Sequence, residues 1–150
     1  MAKTRKSKKE VQEKLVSTME TWQKVENASV ASTARVIEKT ENPIVRLVME
    51  IIQRDSQMHY RVQGMLLDTM RKSVHLTPEE IGQTWDMIED HIKLEKKTIE
   101  LAEAALESVQ GSKGMLVQAY LIEYLLDDER KHNQLLERLQ NIQKGMYPYG

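Results

Sequence analysis

Apolar residues return every three or four positions along four stretches of the chain, which is the spacing of one helix face. The first stretch predicts a helix from about Lys8 to Lys39, with the stripe Leu15, Met19, Trp22, Val25, Val30, Val36 and Ile37. Glu41-Asn42-Pro43 stops it, because proline cannot continue a helix but suits the first turn of the next. A second helix follows from Pro43 to about Arg71, striped by Ile44, Leu47, Val48, Ile51, Ile52, Met58, Val62, Met65 and Leu66. Ser73 to Leu76 break it, and Thr77-Pro78-Glu79-Glu80 has the form of a capping box that opens a third helix. That helix is expected to run on to about Val109, through Trp85, Ile88, Ile92, Ile99, Ala102 and Leu106. Gly111-Ser112-Lys113-Gly114 is a turn. A fourth helix then runs to about Lys144 through Val117, Leu121, Tyr124, Leu125, Leu135, Leu136, Leu139 and Ile142.

Four long amphipathic helices with short links predict an all-α, antiparallel four-helix bundle built from two helical hairpins. The 150 residues make one domain, 1–150, with a basic tail at 1–9 and a loose tail at 145–150. The short link before Thr77 favours an up-down-up-down order; an early end at Gly64 would instead leave chain for a long crossover.

Composition narrows the chemistry. There is no cysteine, which removes disulfides, thiolate-held zinc, iron–sulfur clusters and thiol nucleophiles. There is no phenylalanine, and nine methionines share the filling of the core. Trp22, Trp85, Tyr60, Tyr120 and Tyr124 are read as core or interface packing. A net charge of −1 gives no pull toward nucleic acid or an anionic membrane. No apolar run reaches the roughly 20 residues that span a bilayer. The basic head (Lys3, Arg5, Lys6, Lys8, Lys9) lacks the apolar stretch of a secretory signal and reads as a solvated helix start. The expectation is a cytoplasmic protein without a membrane or nucleic-acid partner.

The residues that interrupt the stripes carry the candidate chemistry. Glu26 continues the line of Leu15, Met19 and Trp22; Asp55 and His59 lie between Ile51 and Val62. Glu95 falls between Ile92 and Ile99, one turn after His91, and Asp128, Glu129 and His132 lie between Leu125 and Leu135. Their heights agree. Glu26 is 16 residues before Asn42 and His59 is 16 after Pro43, so an antiparallel pair brings them face to face. Glu95 is 16 before Gly111 and His132 is 18 after Gly114, a mismatch of about 3 Å that the longer turn absorbs. Buried carboxylates at one level need a counter-charge, and no Lys or Arg lies on the stripes there to supply it.

Glu129-Arg130-Lys131-His132 with Asp128 before it, His91 to Glu95 on the third helix, and Glu26 on the first resemble the ferritin-like di-iron carboxylate family. The similarity covers about Leu15 to Leu139. It implies Glu26, Glu95 and Glu129 as carboxylate ligands and His59 and His132 as imidazole ligands. Asp55 and Asp128 would hold those histidines by their other nitrogen. His91 stands as an outer partner of the site or a further ligand. The implied function is oxidation of Fe(II) by O₂ or peroxide, for iron handling or oxidative-stress defence, with manganese or zinc as other cations. One position departs from the pattern: Ser56 stands where the family has glutamate. That departure motivates an alternative, a non-catalytic bundle with a degenerate site, acting through protein–protein contacts. A hydroxylase-like oxidase is a third class, with no sequence sign of a substrate pocket. Apolar positions such as Ile37, Val45, Met49 and Tyr60 suggest a homodimer.

Overall fold

The structure, a computed structural model, describes residues 6–72, 74 and 76–145. Among them are five α-helices and no strand: α1 (Lys8–Lys39), α2 (Pro43–Arg71), α3 (Pro78–Gly82), α4 (Trp85–Val109) and α5 (Leu116–Gln143). None is long and apolar enough to cross a membrane. The chain divides into two compact units, Met1–Val74 and His75–Gly150.

In the first unit α1 and α2 have the bounds that the hydrophobic pattern predicts. Ser7 caps α1: its hydroxyl accepts from the Glu10 amide while the Glu10 carboxylate accepts from the Ser7 amide. The basic stretch is helical from Lys8 onward, as the hydrophobic pattern predicts; residues 1–5 lie outside the described part. Asn42 opens α2 by accepting from the Ile44 and Val45 amides, with Pro43 in the first turn. Gly64 lies inside α2, so the helix does not end there and leaves no crossover segment. Its end is at Arg71; Ser73 and His75 of the expected break are outside the described residues.

The two helices pack antiparallel, as the cross-links from Glu20 to Arg71, Glu26 to Gln63 and Val30 to Gln53 show. The residues most buried in this hairpin are mainly polar. Met19, Glu26 and Thr33 follow one another at intervals of seven on α1, and Ser56, Gln63 and Leu67 lie on α2. Seven residues are nearly two helical turns, so each set forms one seam. The apolar stripe flanks that seam instead of filling it: Trp22 is 49% exposed, Val25 59% and Val62 52%. A helix in a hairpin touches one neighbour, so a wide stripe leaves part of its width uncovered by that neighbour.

In the second unit the expected third helix is two. Gly82, a poor helix former, precedes Gln83-Thr84, and the Thr84 amide turns back to the Ile81 carbonyl at 3.2 Å. The break leaves α3 as a short piece whose Thr77–Glu80 capping box forms as predicted. Ile81 is buried and anchors α3, which packs against both α4 and α5. Gly111 and Gly114 have φ of 79° and 82°, the left-handed conformation that lets the α4–α5 link turn without strain. Helices α4 and α5 are antiparallel, tied by Thr98 to Glu129 and by Glu103 to Arg130. Leu126 is the buried apolar residue of α5, while Leu125 and Leu135 of the predicted stripe stay exposed. The last helix ends in a Gly145 of positive φ, and residues 146–150 of the expected loose tail lie outside the described part.

Candidate metal centre

The second hairpin gathers Glu95, Glu129 and His132, with one ligand atom from each lying within 4.8 Å of the others. Glu95 comes from the middle of α4; Glu129 and His132 share one face of α5 three residues apart. His132 Nδ1 is 3.5 Å from Glu95 Oε2 and 3.5 Å from Glu129 Oε2. A tetrahedral cation with bonds of about 2.1 Å holds its donors about 3.4 Å apart. His132 Nδ1 therefore stands at about coordination spacing from each of the two carboxylate oxygens.

Each of the three is held by a neighbour. His132 Nε2 lies 3.3 Å from Asp128 Oδ2, which leaves Nδ1 facing the two glutamates. Glu129 Oε2 accepts from the Thr98 hydroxyl at 3.1 Å. Glu95 Oε1 accepts from His91 Nε2 at 2.9 Å. Only 8% of Glu95 is exposed, and its second oxygen, Oε2, is buried with no hydrogen-bond partner. A buried acceptor without a donor is costly, and a cation at this place would satisfy it. Hard carboxylate oxygens with imidazole suit iron, manganese or zinc, so donor set and geometry fit a divalent metal.

Electrostatics agree with an ionised Glu95. Burial raises its pKa, but the neighbouring Glu129 carboxyl, the hydrogen bond with His91, and the nearby imidazoles of His132 and His91 outweigh that and hold it below the ordinary value of 4.5. The sequence reading covers only basic residues on the apolar stripes, and finds none at this level. Lys131 is off the apolar stripe, yet its Nζ bends back to Asp128 Oδ1 at 2.6 Å.

The first hairpin brings Glu26 and His59 together as the register predicts, with His59 Nδ1 3.3 Å from Glu26 Oε1. It does not assemble a second carboxylate there. Ser56, at the position where glutamate is expected, is buried, and its hydroxyl shares a 2.8 Å hydrogen bond with Ser29. The same Glu26 oxygen accepts from Gln63 Nε2 at 3.2 Å. Asp55 makes no ion pair with His59 among the described residues; the imidazole turns across the hairpin to Glu26 instead. Gln63 and Thr98 escaped the sequence reading. A faint signal was available for Gln63, four residues after His59 and so on the same helix face. Compared with known protein families, curated proteins and solved structures, the chain matches none.

Proposed function

We propose that this chain binds a divalent transition metal through Glu95, Glu129 and His132. The observation that carries this is the buried Glu95 Oε2, unpartnered and 3.5 Å from His132 Nδ1. Asp128, Thr98 and His91 would orient the three ligands, as outer partners of metal ligands commonly do. The finer reading takes the chain as a ferritin-like four-helix bundle with iron as its cofactor and Glu26 and His59 as further ligands. Its activity would be oxidation of Fe(II) by O₂ or peroxide, for iron handling or oxidative-stress defence. In that reaction each Fe(II) gives one electron, and two electrons with two protons reduce one peroxide to water. A homodimer belongs to the same reading, supported by the exposed Val45 and Tyr60.

A second reading, a non-catalytic bundle acting through protein contacts, is favoured by Ser56. That residue is engaged with Ser29 and adds no negative charge. Anaerobic loading with Fe(II), desalting and metal analysis separates the readings. About two irons per chain supports the dinuclear ferritin-like site, and about one supports the Glu95–Glu129–His132 site alone. None overturns metal binding and turns the search to protein partners.

A further inference from the structure

Carboxylate ligands bind a metal through one oxygen or two, and that choice sets how many coordination positions stay open. Glu95 has its two oxygens in different circumstances. Oε1 is engaged by His91 Nε2 at 2.9 Å, and Oε2 faces His132 with no hydrogen bond of its own. A carboxylate oxygen only accepts, so His91 Nε2 carries the hydrogen in that contact. His91 lies one turn before Glu95 on α4, and its side chain is 57% exposed, so it is not there to fill a core. It is not one of the residues whose ligand atoms lie within 4.8 Å of one another.

We propose that His91 is the positioning residue that holds Glu95 as a one-oxygen ligand. It occupies Oε1 and presents Oε2 alone to a cation shared with Glu129 and His132. This inference rests on the metal reading of the same site. Its chemical consequence is a cation with few protein donors. Open positions then remain for a small oxygen ligand such as water, O₂ or peroxide. Glu129 and His132 are each partly exposed, so such a ligand reaches the site from solvent. Without the His91 hydrogen bond, Glu95 turns both oxygens to the cation and fills a position.

Co(II) tests this in the full chain, because its visible absorption is intense at four-coordinate sites and weak at six-coordinate ones. The wild type, His91→Ala and His91→Gln are titrated with Co(II), and bound metal is counted after desalting. The expected result for His91→Ala is an unchanged number of Co(II) per chain, a weaker visible band and affinity reduced about 10- to 100-fold. His91→Gln keeps an N–H donor and is expected to recover most of the band and the affinity. Wild-type affinity and spectrum in His91→Ala would overturn the positioning role while leaving the metal site standing. Loss of a bound Co(II) in both variants would also overturn it, since the imidazole would then be a ligand. A wild type that binds no Co(II) would end the metal reading itself, and this inference with it.

Discussion

Replacing Glu95 by glutamine isolates the charge that the second hairpin buries. The variant keeps the shape and removes the anion. The wild-type carboxylate accepts from His91 at 2.9 Å and lies 3.5 Å from His132 Nδ1. A hydrogen bond to a charged group contributes about 1.5–3 kcal/mol. The His91 side chain is 57% exposed, so water screens this one toward the lower end. The amide also escapes the desolvation cost borne by a carboxylate that is only 8% exposed. The expected net loss is about 1 kcal/mol near neutral pH. Its pH dependence has a definite sign. The folded-state pKa of Glu95 lies below 4.5, because the neighbouring Glu129 carboxyl, the His91 hydrogen bond and the imidazoles outweigh burial. A group depressed on folding contributes stability above its unfolded pKa and loses it as pH falls through the folded one. The wild-type advantage is therefore full above pH 4.5 and shrinks only below it. Urea unfolding followed by circular dichroism, with chelator present, from neutrality down to about pH 3 measures the difference. A difference that stays constant across that range, or a variant more stable than wild type at neutral pH, would refute the reasoning.

Two further outcomes follow from the first hairpin. Asn42→Ala removes the acceptor for two amides of α2 and is expected to cost about 1 kcal/mol, read as a lower urea midpoint. An unchanged midpoint would mean that Pro43 alone secures the start of that helix. Ser56→Glu restores the carboxylate expected beside His59 but inserts it at a site only 5% exposed. The metal-free variant should be destabilised by on the order of 1–3 kcal/mol and should gain bound metal per chain over wild type. If the metal content does not rise, the missing carboxylate is not what limits this hairpin.

The helices were legible because two kinds of signal agreed. Periodic apolar positions gave their length, and Asn42-Pro43 and Thr77-Pro78 gave their starts. The break between α3 and α4 was hidden, because a single glycine does not by itself end a helix and the apolar spacing from Ile81 to Trp85 and Ile88 continues through it. What fixes α3 is the burial of Ile81, a residue four positions before Trp85 that the sequence reading did not count in the stripe. The seam of the first hairpin was hidden for a different reason. A stripe says which face of a helix is apolar but not which edge of that face meets its neighbour. Small or polar residues (Ser29, Thr33, Ser56) took the contact line, while Trp22, Val25 and Val62 flank it.

The site was legible as register and illegible as chemistry. Counting from each turn put Glu26 opposite His59 and Glu95 opposite His132, because a short link fixes which residues of two antiparallel helices share a level. Counting cannot say what a histidine does with its second nitrogen. Asp55–His59 and Asp128–His132 have the same spacing, yet only the second pair meets. Where Asp128 takes Nε2, Nδ1 of His132 is left aimed at two carboxylates. In the first hairpin His59 spends its Nδ1 on Glu26, and Gln63 donates to the same oxygen. That pair of contacts surrounds one anion with protein hydrogen-bonding groups, whereas the second hairpin sets two carboxylates together and leaves a buried oxygen without a donor. Two adjacent carboxylates call for positive charge more strongly than one that already has two partners. A chain offered limiting metal should therefore fill the Glu95 cluster first. Glu129→Gln should lower that first affinity, and Glu26→Gln should leave it unchanged.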